Sequence, residues 1–239
     1  MDRSLVPNGS TARTVVVGAG KAAASMAQAL EACSPGPLSG VVLTPYGHAK
    51  TCNEIEVLEA AHPIPDTAGL RTANRILDIA ASLHEGDLLL CLLSGGGSSL
   101  LTLPTEGLSL EDKQHTNEIL IRSGAAVNEI NIIRKHLSQV KGGRLAQVCM
   151  PANLVTLVIS DVVGDDLSAI ASGPTAPDPS TYADAIAVVN KYDLELPTSA
   201  MKILNEGLQE TLKPQISEIS PEISISSGKN KLNCKNQVA

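Results

Sequence analysis

A run of glycines and serines in the middle of the chain has the composition of an anion-binding loop. The run comprises, in order, Ser94, Gly95, Gly96, Gly97 and Ser98, and it follows an apolar segment at residues 88–93. Backbone without side chains can approach a ligand closely, and exposed N–H groups that lead into a helix bind negative charge. We therefore predict that these five residues bind a phosphate or a carboxylate. The structural alternative is a tight turn between a strand and a helix.

A second glycine turn, nearer the N-terminus, carries a lysine. Gly18, Gly20 and Lys21 follow the β-branched residues 14–17 in a G-x-G-x-x-A pattern that is typical of a dinucleotide site. Such a site also needs an acidic residue at the end of the second strand, where this chain has none. Lys21 would lie in the first turn of a helix, where a cation is unfavourable unless an anion lies nearby. We predict that Lys21, Gly18 and Gly20 bind a phosphate or carboxylate; the alternative is a solvated surface lysine.

A dense basic segment at residues 131–144 also points to an anionic ligand. It contains four cationic side chains and one histidine in an otherwise acidic protein. We predict a helix from Asn128 or Glu129 to the glycine pair at 142–143, with Arg134, Ser138 and Lys141 on one polar face. Basic residues near a helix C-terminus also complement the helix dipole, which is the structural alternative.

Carboxylates follow the second strongly apolar strand, predicted at residues 154–160. In an open parallel sheet, ligands bind outside the carboxyl ends of the strands, which places Asp161 on the same rim as both glycine turns. Carboxylates opposite a phosphate site are a usual means of holding Mg²⁺. Asp161 is therefore assigned to the site. Asp165 and Asp166 are equally consistent with a solvated turn.

Other catalytic arrangements are less well supported by the sequence. Neither Ser94 nor Ser98 lies in a G-x-S-x-G motif, and the glycine run lacks the spacing of a Walker loop. A hydrolase is therefore not expected, and phosphoryl transfer would use a different scaffold. His62 could act as an acid or base, although a single histidine before proline is more often structural.

The elements that position these residues alternate between strand and helix. This alternation predicts parallel βαβ units with right-handed crossovers, and therefore an α/β fold with a Rossmann-like, mostly parallel sheet and helices on both faces. The predicted strands are at 14–17, 40–43, 54–58, 87–93 and 154–160, with one short strand at 223–225. The predicted helices are at 21–31, 67–83, 109–121, the basic segment, 182–190 and 199–212.

Composition excludes several classes of protein. The chain has 239 residues, 43% of them apolar, a net charge of −7, three tyrosines and neither phenylalanine nor tryptophan. These values argue against a nucleic-acid-binding protein, which needs clustered positive charge or aromatic stacking surfaces. The five cysteines form no C-x-x-C pair, and the longest apolar run is too short to cross a bilayer. We expect a cytoplasmic protein that binds small molecules and contacts no membrane, with mitochondrial import left open and a homodimer as one option for its assembly.

Taken in order, five segments of the chain resemble the glycerate 2-kinase family, in particular the N-terminal domain of its two-domain, MOFRL-type D-glycerate kinases. They are GAGKAAA, AHPIPDTAG, LLSGGGSSLL, NEINIIRKHLSQVKGGRLA and VISDVVGDDLSAIASGPTAPDPST. The resemblance covers residues 13–212. It implies ATP-dependent phosphorylation of D-glycerate to 2-phosphoglycerate with Mg²⁺, in a cleft between two α/β domains.

By motif, the resemblance also implies roles for individual residues. Lys21 would contact anionic substrate or phosphate, the loop 94–98 would surround phosphoryl oxygens, and Arg134 and Lys141 would neutralise charge. Asp161 and Asp165 would hold the metal or activate the hydroxyl. Lys21, Arg134 and Asp161 are thus the predicted catalytic residues.

The same comparison predicts the domain organisation. Residues 1–11 are expected to be a disordered lead, 12–212 the Rossmann-like domain, and 213–239 a linker or the truncated start of a C-terminal domain. Without that domain, we expect impaired kinase activity. Two alternatives remain open: a catalytically inactive module that binds anions or a partner, and an NAD(P)-dependent oxidoreductase.

Overall fold

The computed structural model describes residues 12–162 and 164–214, together with the backbone of 222–226. The described strands form one six-stranded sheet of order β3-β2-β1-β4-β5-β6, and every neighbouring pair is parallel. The predicted α/β fold is confirmed, with an all-parallel sheet. The strands are β1 (Thr14–Ala19), β2 (Ser39–Pro45), β3 (Ile55–Ala60), β4 (Leu88–Ser94), β5 (Asn153–Ile159) and β6 (Glu222–Ser226).

Helices cover both faces of the sheet, because successive strand residues point to opposite sides. Val15 and Val17 of β1 join the apolar cluster on one face, while Val16 joins the cluster on the other. A third apolar cluster lies among helices beyond the sheet. The helices are α1 (Ala23–Cys33), α2 (Thr67–Ala81), α3 (Gly97–Leu100), α4 (Leu110–Arg122), α5 (Val127–His136), α6 (Arg144–Cys149), α7 (Tyr182–Lys191) and α8 (Thr198–Glu206).

The sheet order creates one crevice at a defined place. The chain moves outward from β1 to β3, crosses back and continues from β4 in the opposite direction. The loops after β1 and β4 therefore diverge to opposite faces, which is where open α/β sheets bind ligands. Both predicted glycine turns follow these two strands.

Two predicted helices end earlier than their sequences indicated. The helix of the basic segment stops at His136, because the next residues pair with the chain after α3: Gln139 N donates to Leu103 O at 2.9 Å. The predicted polar face of Arg134, Ser138 and Lys141 is therefore wrong. The last helix stops at Glu206, where Gly207 adopts a left-handed conformation (φ 57°) that ends helices readily.

Some predictions concern residues that lie wholly or partly outside the described ranges. The predicted lead 1–11 lies outside them, as does most of 213–239, although the predicted strand at 223–225 is present as β6. In the described part of the chain, no helix has both the length and the apolar character that crossing a bilayer requires.

Asp87 stabilises the amino-terminal end of β4, at the opposite end of the strands from the crevice. Its replacement should lower stability without affecting the site. Its carboxylate accepts hydrogen bonds from the Arg13 amide (2.8 Å) and guanidinium (2.9 Å) and from His84 N (3.0 Å). These bonds, above all those from Arg13, hold its pKa well below the usual value. We expect Asp87→Asn to cost about 1–3 kcal/mol of unfolding free energy at pH 7.

The pH dependence of unfolding provides a second measurement of the same contact. Because the folded pKa of Asp87 is depressed, its stabilisation is complete above the unfolded pKa of about 4 and is lost as the pH falls below it. Urea unfolding at pH 7 and at pH 3 should therefore give a smaller difference between wild type and Asp87→Asn at pH 3. An equal difference at both values would contradict the assignment.

Candidate functional site

The two glycine turns pack directly against each other at the carboxyl ends of β1 and β4. Lys21 N donates to Gly95 O at 2.8 Å, and Ala22 N donates to Ser94 Oγ at 3.0 Å. A Cβ atom at Gly20 would collide with Ser94. The structure thus brings the two predicted turns together on one rim of the sheet.

The first turn uses its amides within the fold. Gly20 N donates to Leu43 O at 3.0 Å, and the next two amides bond to the second turn as described above. A Cβ at Gly18 would collide with the main-chain oxygen of Leu92. Gly18 and Gly20 therefore allow β1 and β4 to approach closely, and the amide of Gly20 is not free for the predicted ligand contact.

The second turn, by contrast, presents free donors. Within the described residues, the amides of Gly95, Gly96, Gly97 and Ser98 donate to no acceptor. Gly96 has a φ of 84°, a left-handed conformation that favours glycine. Successive free amides of this kind form a concave site for an anion. Ser94 is buried and its hydroxyl accepts from Ala22 N, so it supports the turn from below.

Lys21 and His62 lie over this second turn. A Cβ at Gly96 would be 2.9 Å from His62 Nε2 and 3.4 Å from Lys21 Cγ. Lys21 is exposed, and its ammonium forms no ion pair within the described part of the chain. Burial, with the nearby charges of Lys21 and His48, lowers the pKa of His62 below 6.5. The lowered pKa favours the neutral imidazole.

Two cavities flank His62. The first, of about 320 Å³, is lined by Lys21, Pro45, Tyr46, His48, Ala61 and His62. The second, of about 160 Å³, is lined by His62, Pro63, Gly96, Ser98, Ser99, Asn117, Ile121 and Arg134. The glycine loop and His62 thus lie between a larger space beside Lys21 and a smaller one beside Arg134.

Three basic side chains at the second cavity form what we call the basic cluster. Arg134 lines the cavity, and Lys113 and Lys141 lie behind it. Lys113 and Lys141 are buried, and among the described residues they donate only to the carbonyls of Leu137 (3.2 Å) and Leu101 (2.6 Å), respectively. Burial lowers the pKa of Lys113 to about 7 and that of Lys141 well below its usual value; neighbouring cations add to both effects.

No carboxylate pairs with the basic cluster within the described residues. Arg134 Nε donates to Asn117 Oδ1 at 3.3 Å, which leaves its terminal nitrogens free. Because burial without a carboxylate partner lowers the pKa of both lysines, an anion in the second cavity would favour their charged forms. Lys141 is only 1% exposed and its ammonium donates to Leu101 O, so within the described residues it has no direct access to a ligand.

Asp161 lies beside the glycine loop, as the rim argument requires. A Cβ at Gly95 would collide with its carboxylate, which is exposed and has no hydrogen-bond partner among the described residues. Asp165 is also exposed, in a left-handed turn (φ 52°), and within the described residues no hydrogen bond joins it to Asp161. In the described part of the chain, no group of three or more metal-ligating side chains is assembled.

Ser98 is held by a buried hydrogen-bond chain that sequence reasoning did not find. Its hydroxyl lies 2.7 Å from Ser172 Oγ, which in turn lies 3.0 Å from Asn131 Oδ1. Ala171, Ser172 and Gly173 all have positive φ, which is strained for the first two. Nothing in the sequence around Ser172 indicates this contact.

Two glycine substitutions should separate folding from function. Gly18→Ala places a methyl group against rigid main chain in the sheet and should cost about 1–3 kcal/mol or more of stability. In Gly95→Ala, the atoms nearest to the added methyl group belong to the flexible end of the Asp161 side chain, so the change should displace that carboxylate with little loss of stability. Thermal unfolding of both variants tests the predicted difference in stability. The Mg²⁺ dependence of phosphoryl transfer in Gly95→Ala tests the displacement of the Asp161 carboxylate. A stable Gly18→Ala variant or an unaltered Mg²⁺ dependence in Gly95→Ala would contradict it.

Comparison with known proteins places this geometry in a family. The model of a family described as a domain of unknown function, DUF4147, matches residues 2–205. A D-glycerate 2-kinase of Thermotoga maritima is 47% identical over 213 residues, which are 88% of this chain and 50% of that protein. A protein of Agrobacterium vitis that is named as a hydroxypyruvate reductase is 50% identical over 221 residues, 92% of this chain and 50% of that protein.

The fold agrees with these matches. The crystal structure of a glycerate kinase from Thermotoga maritima superposes with a TM-score of 0.80 at 45% identity, over 94% of this chain and 53% of that one. The chain spans about half the length of the curated relatives that it matches. The resemblance predicted from the five segments is thereby confirmed: the chain belongs to the DUF4147 family, the N-terminal domain of the glycerate 2-kinases.

Proposed function

We propose that this domain forms the phosphoryl-transfer half of an enzyme that phosphorylates D-glycerate at its 2-hydroxyl with ATP. The observation that carries the proposal is that, within the described residues, Lys21 and Arg134 lie beside a loop of free amides without a carboxylate partner. Lys21 lies on one side of the loop and the basic cluster on the other. The two substrates, a nucleotide triphosphate and a carboxylic acid, are both anionic. The names of the glycerate kinase relatives support the same substrates.

Phosphoryl transfer requires positioning and charge stabilisation more than covalent chemistry. Negative charge is spread over the equatorial oxygens of the transferred group, so donors that already point at that position lower the barrier. The amides of residues 95–98 supply such donors without reorganisation, and the Lys21 ammonium adds a full charge next to them. Arg134 neutralises the acid substrate, and the bound anion would in turn favour the charged forms of Lys113 and Lys141.

Asp161 is suited to help hold Mg²⁺. This ion takes one or two carboxylates, and phosphates and waters complete its six positions, so a preassembled protein cage is not needed. Asp161 is exposed, unpaired within the described residues, and in contact with the glycine loop. When bound, Mg²⁺ would neutralise charge on the nucleotide phosphates. Asp165, in the same turn, is the second predicted ligand.

His62 is a candidate to accept the proton of the substrate hydroxyl. It lines both cavities, and its lowered pKa favours the neutral imidazole, which is the state that a general base needs. It contacts the glycine loop where the transferred group would be bound. Asp161 is the alternative acceptor, consistent with its predicted role in hydroxyl activation.

An oxidoreductase is the second candidate, because relatives named as hydroxypyruvate reductases match equally well. Two features argue against dinucleotide binding. The amides of Gly20, Lys21 and Ala22, where a pyrophosphate would bind, are occupied by the chain itself, and β2 ends at Pro45 without an acid for the ribose. The two kinds of enzyme act on related three-carbon acids, since reduction of hydroxypyruvate at C2 gives glycerate.

The decisive experiment measures ADP release with D-glycerate and Mg-ATP. It should be run on the 239-residue chain and on a joined enzyme, in which this chain precedes the second half of the Thermotoga maritima glycerate 2-kinase. We expect glycerate-dependent ADP release and formation of 2-phosphoglycerate by the joined enzyme. Binding of both substrates without turnover in either form would favour the inactive module. Oxidation of NADH or NADPH with hydroxypyruvate would favour the reductase.

A further inference from the structure

The hydrogen-bond chain behind Ser98 fixes the direction of every proton in it. The side-chain amide of Asn131 lies 3.4 Å from Ala169 O, and a carbonyl can only accept, so Nδ2 faces that carbonyl and Oδ1 faces Ser172. Ser172 has one hydroxyl proton and donates it to Asn131 Oδ1 at 3.0 Å. In the 2.7 Å contact between the two serines, Ser98 must therefore be the donor.

The consequence is that Ser98 presents only lone pairs to the second cavity. Its single proton points inward to Ser172, so it can accept a hydrogen bond from a ligand but cannot donate one. The neighbouring Ser99 is in the same state, because its hydroxyl donates to Gly96 O at 3.1 Å. The hydroxyls of this cavity therefore suit a ligand that carries O–H groups, and they do not suit phosphate oxygens.

The opposite side of the cavity provides donors. Arg134 Nε is occupied by Asn117 Oδ1, which leaves the terminal guanidinium nitrogens and Asn117 Nδ2 without acceptors in the described residues. A guanidinium fork matches a carboxylate. The cavity holds about 160 Å³, below the roughly 300 Å³ at which pockets for drug-sized ligands begin, so it suits a small acid and not a nucleotide.

We propose that the second cavity is a subsite for a small 2-hydroxy acid and rejects the corresponding 2-oxo acid. Arg134 binds the carboxylate, and in the resting complex Ser98 Oγ accepts a hydrogen bond from the hydroxyl at C2, whose proton must turn toward the base before phosphoryl transfer. An oxo group at C2 has no proton to give, so it would face the lone pairs of Ser98 with no bond between them. The identity of the acid as glycerate rests on the proposed function; the preference for hydroxyl over oxo rests on the hydrogen-bond chain alone.

D-Lactate and pyruvate test this preference, because they differ only at C2. Calorimetric titration of the 239-residue chain should give a Kd for D-lactate about tenfold lower than for pyruvate, the value of one ordinary hydrogen bond. Ser98→Ala should bring the ratio close to one. Ser172→Ala should also reduce the ratio, but by improving pyruvate binding, because Ser98 then has a free proton to donate to the oxo group.

The control is Ser82→Ala, which removes an exposed hydroxyl bonded to Ile79 O at the end of α2 and should leave the ratio unchanged. Pyruvate binding as tight as lactate binding in the wild type, a ratio that persists in Ser98→Ala, or no binding of either acid would each overturn the proposal. If Ser172→Ala fails to fold, the Ser98→Ala ratio decides. If instead the proposed kinase function were wrong, the joined enzyme would release no ADP with D-glycerate, while the preference for D-lactate over pyruvate would remain.

Discussion

Replacing Lys21 with alanine should lower the turnover of D-glycerate by the joined enzyme at least about 10²–10³-fold while the melting temperature stays unchanged. The first effect follows from position: the side chain crosses Gly96 beside four free amides and has no other partner in the described structure. The second follows from exposure, because removing a solvated ammonium without an ion pair costs the fold little.

A matched substitution distinguishes an effect of the position of the Lys21 charge from an effect of the net charge of the protein. Lys202 is an exposed lysine on α8 whose nearest acidic partner, Glu206, lies 3.8 Å away. Lys202→Ala removes the same charge from the protein and should leave turnover unchanged. If Lys21→Ala retained a near-normal rate, Lys21 would have no part in the chemistry. If both variants lost activity equally, the effect would come from net charge.

The sequence was informative where chemistry depends on local pattern. Glycine turns after two apolar strands, and an aspartate after a third, had to meet on one rim once the sheet was parallel, because parallel strands end on the same side. The contacts of Gly95 with Lys21 and Asp161 agree with that inference. The alternation of strands and helices in the sequence was enough to predict that these residues lie close together, without any knowledge of the side-chain geometry.

The sequence was less informative where function depends on burial. Lys113 has charged and polar neighbours on α4 and resembles a surface lysine, yet the fold buries it beside Arg134. Lys141 was expected on a polar helix face, but α5 ends before it and its ammonium turns inward to Leu101 O. Which helix residue is covered depends on distant segments of chain, and a single sequence does not specify them.

The hydrogen-bond chain from Ser98 to Asn131 illustrates the same limit more strongly. Its members are separated by 74 and 41 residues in sequence. They meet only because the chain after β5 returns over α3 with Ala171 and Ser172 in left-handed conformations. Serine and asparagine at such distances have no pattern that distinguishes them from solvated loop residues.

His62→Gln is the second substitution for which we expect a large effect, a loss of about 10²–10⁴-fold in kcat/KM, the usual contribution of a general base. A base must be unprotonated to act, so kcat/KM of the wild-type joined enzyme should fall as acid protonates His62. Because burial and the charges of Lys21 and His48 lower its pKa, the midpoint of this fall should lie at a lower pH than for an ordinary histidine. In His62→Gln, the residual activity should lack this acidic limb.

His48→Gln gives a test that a purely structural role for His62 would not satisfy. His48 is exposed and lines only the first cavity, and its positive charge is one reason why the pKa of His62 is low. Removing that charge should raise the pKa of His62 and move the acidic limb of kcat/KM to higher pH, with little change in the rate at pH 8. A limb that stays in place in His48→Gln, or that persists in His62→Gln, would transfer the proton-accepting role to Asp161.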